Sequence, residues 1–319
     1  MPPPRVLRVR LQWRPLRLSD APELVRLLAE VEAAEPAEGV PAQADVVDHL
    51  TRPGLDLAEG STSVWAGDRL VGYATAQVRP SADPVHLLVV GFQLAPDHRT
   101  PELSGELARW CETTGRRLHA ESHPGVPLHL YLRVPEGQKW LTEVAEVAGY
   151  RNERTYLRMR VALGELPELP EPPADLRPVP FEPRLDEATR LANNEIFTEH
   201  WGIIPQSPEV WRHGTTGNRA FRPDLTFVVL APDDTVLAFL TGLVHGDEVY
   251  FGDIGTRAEL RGRGAATGLV GHALRAARDA GLATAALTVD RDNPGALRIY
   301  QRCGFEVVHE VRNFILRVS

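Results

Sequence analysis

A chain of 319 residues, 43% hydrophobic and 24% charged, exceeds what one ordinary hydrophobic core serves and has the composition of a soluble globular protein of two domains. A formal net charge of -8, with the arginines dispersed along the chain, argues against a nucleic-acid partner, and no apolar run reaches the roughly 18 residues that cross a membrane. The N-terminal stretch MPPPRVLRVRLQWRP lacks the apolar core of an export signal, so a cytoplasmic location is expected. Cys111 and Cys303, one in each half, support neither a disulfide framework nor a Cys-based zinc site.

In chain order, the first half reads as a strand over Leu7–Leu16, a helix over Ala21–Ala33 and a hairpin over Ser63–Val78 that turns at Ala66-Gly67-Asp68. A strand at Val85–Leu94, a helix at Glu102–Thr113, a strand near Leu128–Arg133, a helix around Trp140–Ala148 closed by Gly149 and a strand at Tyr150–Val161 follow. The stretch from Leu163 to Pro183, LGELPELPEPPADLRPVPFEP, is too rich in Pro and Glu for a helix or a central strand and reads as a stiff, extended linker.

The second half repeats the order of the first. It has a helix over Leu185–Phe197, strands at Leu225–Leu230 and Val236–Val244 about an Asp233-Asp234 turn, and a strand at Glu248–Gly255. The loop Arg261-Gly262-Arg263-Gly264-Ala265-Ala266 comes next, then a helix over Thr267–Ala280, a buried strand at Leu282–Val289, a helix at Asn293–Cys303 closed by Gly304, and terminal strands over Phe305–Val318. Two copies of one α/β fold are therefore expected, as domains 1–163 and 184–319 joined by a linker 164–183, each a mixed sheet flanked by helices.

A helix start carries unpaired N–H groups and a positive partial charge, so a glycine-bearing turn that leads into a helix is a natural pyrophosphate cradle. Gly262 and Gly264 let phosphate oxygens approach the main chain, and Arg261 and Arg263 add positive charge. A bare RGRG turn is also compatible with an exposed basic turn. The nearest competing motif, the dinucleotide fingerprint G-x-G-x-x-G, fails at Thr267, and no acidic residue ends a strand about 20 residues further on.

With Arg261, Gly264 and Ala266 in the pattern R/Q-x-x-G-x-G/A, and with Asn293, Ala296, Tyr300, Gly304 and Phe305 in the pattern N-x-x-A-x-x-x-Y-x-x-x-G-F, the second half resembles the GNAT superfamily of acyl-CoA-dependent N-acetyltransferases. In outline the whole chain is similar to the tandem, mycothiol synthase-like type of that superfamily, although the specific motifs lie within Arg261–Phe305. The resemblance implies two tandem domains, each a mostly antiparallel sheet splayed at its fourth and fifth strands, and acetyl-CoA as cosubstrate. It implies a cofactor-binding set of Ile254, Thr256, Arg261, Gly262, Arg263, Gly264, Ala265, Ala266 and Asn293, with pantetheine in the opening between those strands. Gly252 and Gly255 in the fourth strand fit such an opening.

Acetyl transfer to an amine needs a neutral nucleophile and a proton for the departing thiolate. Tyr300 resembles the family tyrosine beside the CoA sulfur and is the candidate acid; Glu248, Tyr250 and Asp253 are the options for the base, with Glu248 and Asp253 carried forward. The segment from Asn193 to Gly202, with Trp211 and His213, is the candidate acceptor side, its aromatic and acidic residues suiting an amine.

In the first half the loop position reads Pro96-Asp97-His98-Arg99-Thr100-Pro101-Glu102-Leu103, without glycine, and the tyrosine position falls on Ala145, so this copy is expected to be inactive. His119, His123 and His129 read as exposed loop residues, and no metal is expected. The functional expectation is transfer of an acetyl group to a primary amine of a small molecule or peptide in a ternary complex. The alternative is a non-catalytic acyl-CoA-binding sensor.

Overall fold

The computed structural model describes residues 10–82, 84–198, 200–202 and 204–318 and divides into two compact units, residues 1–153 with 312–319 (unit 1) and residues 154–311 (unit 2). Unit 1 begins with strand β1 (Leu11–Arg14), which ends two residues before the expected Leu16; residues 7–9 of the expected strand lie outside the described residues. Helix α1 (Ala21–Ala34) follows, its buried Ala21, Leu24, Leu27 and Val31 recurring at helical spacing behind a proline in the first turn. Helices α2 (Gln43–Leu50) and α3 (Leu57–Gly60) lead to β2 (Ser61–Ala66) and β3 (Arg69–Gln77), a hairpin whose Gly67 has a φ of +64°. Then come β4 (His86–Leu94), α4 (Pro101–Ser122), β5 (Leu128–Pro135), α5 (Lys139–Val147) and β6 (Arg151–Ala162), which passes into unit 2 at Arg154.

Helix α4 runs well past the expected end at Thr113. Past that point the helix packs closely: a Cβ at the buried Gly115 would lie 2.6 Å from Leu130 Cδ2 in β5, so glycine lets the helix lie close to the sheet. His119 is consequently a helical residue and His123 caps the helix, both half-buried against His86 of β4 instead of lying exposed in a loop.

Unit 2 comprises β7 (Val179–Pro180), α6 (Asp186–Ile196), α7 (Pro208–Gly214), β8 (Phe227–Leu230), β9 (Val236–His245), β10 (Glu248–Thr256), α8 (Ala265–Asp279), β11 (Thr284–Asp290), α9 (Pro294–Arg302) and β12 (Glu306–Val318), whose last residues belong to unit 1. The β8–β9 turn contains Asp234 at φ +63°, as its Asp-Asp sequence leads one to expect.

The strand order is β1-β2-β3-β4-β5-β12 in unit 1 and β6-β11-β10-β9-β8-β7 in unit 2. Antiparallel pairing prevails, with β4–β5 and β10–β11 parallel. The expected mixed α/β sheet is thus present, and so is the splay. Pairing between β10 and β11 ends at Phe251↔Leu287, although β10 continues to Thr256 and β11 to Asp290. Between β4 and β5 it ends at Val90↔Leu132.

The units divide between Glu153 and Arg154, not in the Pro-rich stretch. From Tyr156 to Ala162, β6 pairs with β11 of unit 2, while residues 312–318 complete unit 1, where Phe314 is buried in the core and Asn313 Oδ1 accepts a 2.9 Å hydrogen bond from the Tyr131 hydroxyl. Each half of the sequence supplies the last strand of the other unit. The 164–183 segment is extended, as its prolines demand, but it is part of unit 2: Leu176 is buried, and Leu166 and Leu169 pack on the same core. It lies directly on α8. Cβ atoms at Gly268 and Gly271 would come 2.4 Å from Pro172 Cα and 2.7 Å from the Pro170 carbonyl oxygen.

Candidate active site

The loop between β10 and α8 places glycines where L-residues are strained: Gly262 has φ +77° and Gly264, the residue that caps α8, has φ +82°. No side chain caps this helix, so the first amides of α8 find no acceptor within the helix, and the Arg261–Gly264 turn that leads into them is exposed. Arg261 is exposed without a carboxylate partner among the described residues, and Arg263 Nη2 lies 2.5 Å from Asp175 in the Pro-rich segment. An uncapped helix N-terminus beside two arginines and a steric opening provided by glycine fits a pyrophosphate.

The opening between β10 and β11 carries a second irregularity. Between Phe251 and Ile254, β10 has one residue more than β9 opposite it, a bulge formed at Gly252 and Asp253. Thr241 Oγ1 accepts the Asp253 N–H at 2.9 Å, taking the place of a ladder partner. Asp253 is half-buried, and burial pushes its carboxyl up to about 6. Beyond it, the Thr256 hydroxyl is buried without a partner, an orphan in the parted strand. Gly255 has a different reason from the one expected: a Cβ there would sit 2.5 Å from the Phe239 ring and 3.3 Å from Ile196, so the glycine admits neighbouring side chains, not a ligand.

Glu248 lies at the other end of β10, where the strands are still paired. Its oxygens are held by Arg158 at 2.8 Å and Arg160 at 2.6 Å, and Thr284 Oγ1 donates at 3.2 Å. Tyr250 lies beneath the Arg158 guanidinium, 4.5 Å from the ring centroid. Tyr300 is 8% exposed in α9, edge-on to Phe305, and burial, reinforced by Tyr250, raises its phenol well above the ordinary tyrosine range. Asn293 caps α9, its side chain accepting the Ala296 N–H at 3.1 Å.

On the acceptor side, Asn193 is 1% exposed on α6 and its side-chain oxygen has no partner. Asn194 pins the following loop through Gln206 in both directions, 3.1 and 2.7 Å, and Trp211 is buried with its Nε1 donating to Asp186 at 2.6 Å, a packing role. Glu195 is paired to Arg257, and Glu199 lies outside the described residues. Thr241 and Asp175 carry no sequence signal for the parts they play: the first is one threonine in a buried strand, and the second sits in a segment whose composition reads as a spacer.

Unit 1 lacks the cradle. Pro101 has no N–H, and Thr100 Oγ1 caps the Leu103 N–H at 3.3 Å. Across its parted strands Gln93 Nε2 donates to Gln138 Oε1 at 2.7 Å, bridging β4 to the start of α5.

The family model described as Acetyltransferase (GNAT) family matches residues 188–305, the stretch that contains the parted β10 and β11 strands and the start of α8. The chain is 31% identical over 337 residues to a mycothiol acetyltransferase of a Parafrankia species, covering 92% of this chain and 94% of that one. To a mycothiol acetyltransferase of Streptomyces avermitilis it is 30% identical over 295 residues, covering 89% and 88%. A GCN5-related N-acetyltransferase from Sphaerobacter thermophilus has a similar fold, with a TM-score of 0.80 at 24% identity over 96% of this chain and 95% of that one. A tandem GNAT protein of the clavulanic acid biosynthesis pathway superposes with a TM-score of 0.71 at 16% identity, over 97% and 99%. The chain belongs to the GNAT acetyltransferases, in their tandem form, and uses acetyl-CoA as cosubstrate. No helix among the described residues is long and apolar enough to cross a membrane.

Proposed function

We propose that unit 2 transfers the acetyl group of acetyl-CoA to a primary amine of a small molecule by direct attack in a ternary complex. The observation that carries this reading is the coincidence, in one unit, of parted β10 and β11 strands with the uncapped, glycine-bearing start of α8. The main chain from Gly262 to Ala266 holds the pyrophosphate, Arg261 and Arg263 add charge, and Ile254 and Thr256 line the opening along which pantetheine lies, with Asn293 fixing the start of α9. The relatives named mycothiol acetyltransferase support an acceptor of mycothiol chemistry over a peptide.

The neutral amine attacks the thioester carbonyl carbon and the C–S bond breaks. Asp253, directly or through water, takes the proton lost by the amine, and the Tyr300 phenol gives its proton to the departing sulfur, leaving an amide and free thiol. A carboxyl raised to about 6 is ionised at neutral pH yet basic enough to accept a proton, and a phenol held protonated by burial is a donor throughout the physiological range. Glu248 is assigned no part in proton transfer because Arg158 and Arg160 occupy its oxygens.

Tyr300→Phe tests the acid. Its kcat is expected to fall about 100-fold, the scale of general-acid catalysis, with the Kd for acetyl-CoA retained. An unchanged kcat would remove Tyr300 from the role.

A further inference from the structure

We propose that unit 1 binds a small monocarboxylic acid in the cavity lined by α1, α2 and β3, with Arg52 and Tyr73 on the carboxylate and the aliphatic side chains of the two helices against its apolar body. The cavity has a volume of about 320 Å³, at the lower end of the roughly 300–1,000 Å³ of small-molecule pockets. None of its lining residues belongs to β4, β5, α4 or α5, so it is separate from the parted strands that correspond to the cofactor opening of unit 2. Leu24 and Leu28 of α1 and Val46 and Leu50 of α2 form its apolar wall.

The polar part of the wall holds donors that have nothing to bond. Tyr73 of β3, His49 of α2 and Arg52 just beyond α2 make no side-chain hydrogen bond or ion pair among the described residues. All three keep accessible surface, Tyr73 as a half-buried residue and the other two as exposed ones, and the Tyr73 hydroxyl is not among the enclosed polar atoms that lack a partner. A ligand in the cavity can therefore reach them. Surrounding protein nevertheless desolvates them: burial pushes the Tyr73 phenol up to about 12, so it stays a donor. Burial, then Arg52, lowers His49 to about 4, leaving a neutral imidazole with one N–H to give.

Charge decides which ligand. Burial and the neighbouring Arg133 both weigh against the charged form of Arg52, and Arg133 is already paired with Glu38 at 2.5 Å. Arg52 is thus a partly desolvated guanidinium without a counter-ion, and its planar fork fits a carboxylate. Asp45, the one acid in the wall, forms no ion pair with it among the described residues and turns Oδ2 to the Ala42 N–H at 2.9 Å. An ammonium would meet Arg52 and donors in place of acceptors, and a neutral amide would leave the guanidinium uncompensated. A dianion such as phosphate would set a second negative charge near Asp45 and its oxygens against an apolar wall.

Calorimetric titration of the full-length protein with isocaproate, isocaproamide and isoamylamine tests this. Isocaproate is expected to bind with one equivalent and more tightly than the amide or the amine. Arg52→Gln and Tyr73→Phe each remove a group that bonds nothing else in the protein, so both keep the melting temperature. Arg52→Gln is expected to bind isocaproate at least about tenfold more weakly, the effect of a hydrogen bond to a charged group, and Tyr73→Phe roughly five- to tenfold more weakly. Gly264→Glu, which alters unit 2, leaves the affinity unchanged. No binding of isocaproate, equal or tighter binding of the amide or the amine, wild-type affinity in Arg52→Gln or Tyr73→Phe, or loss of binding in Gly264→Glu would each overturn the proposal.

Discussion

Asp253 illustrates how much one residue's environment can differ from its sequence context. Strict alternation along a strand leaves Asp253 on the opposite face from Glu248 and Tyr250, and nothing local announces the extra residue that re-aims it. The carboxylates Glu248 and Asp253 look interchangeable in the sequence, yet one is fixed by two arginines and the other is raised to about 6 by burial. If Asp253 is the base, kcat/KM rises as pH climbs through about 6, and Asp253→Asn removes that limb. A profile unchanged in the variant would move the base elsewhere. The sign for stability is the reverse: a carboxyl whose folded pKa is raised contributes most when protonated and loses stability as pH rises through about 6, so Asp253→Asn is expected to melt higher than wild type at pH 8. Tyr300 and Asn293 were legible because their spacing to Gly304 and Phe305 is a pattern; Thr241 and Asp175 were not, because their roles depend on what folds back against them.

Among the elements, α8 was legible from its glycines and its apolar spacing, but two of its glycines serve a purpose that periodicity does not reveal. Gly268 and Gly271 face the backbone of Pro172 and Pro170, so the segment read as a linker is the outer layer of unit 2. Gly268→Val should cost about 1–3 kcal/mol through overpacking, read as a lower denaturation midpoint of unit 2, and unaltered unfolding would show that the segment detaches freely. Proline content correctly indicated extended chain but not docking, which is carried by Leu166, Leu169 and Leu176. In unit 1, His86 shows the same limit. It is 0% exposed, its Nδ1 lies 2.9 Å from His119 Nδ1, and burial, then His123, His119 and Arg79, lowers it to about 4. A histidine ordinarily titrating near 6.5 and depressed on folding contributes stability above that pH and loses it as pH falls towards 4. Unit 1 is therefore expected to lose stability in that window, and thermal unfolding of His86→Gln should show a weaker dependence there.

At the scale of the whole molecule, the repeat of elements identified two copies of one fold, and the loop chemistry separated a copy with an open helix N-terminus from a copy with Pro101 and Thr100 in its place. The exchange of last strands was not legible. Residues 151–162 and 306–318 are both alternating strands with apolar faces, and each satisfies either sheet locally; which sheet it completes depends on pairings such as Thr284↔Ala162 that no local pattern encodes. The central claim, that the one acetyl-CoA site lies in unit 2, is tested most directly by calorimetric titration of wild type and Gly264→Glu with acetyl-CoA. A carboxylate at a φ of +82° is strained and repels phosphate, so the account predicts one equivalent bound by wild type and none by the variant. Binding retained by the variant, or two equivalents bound by wild type, would contradict it.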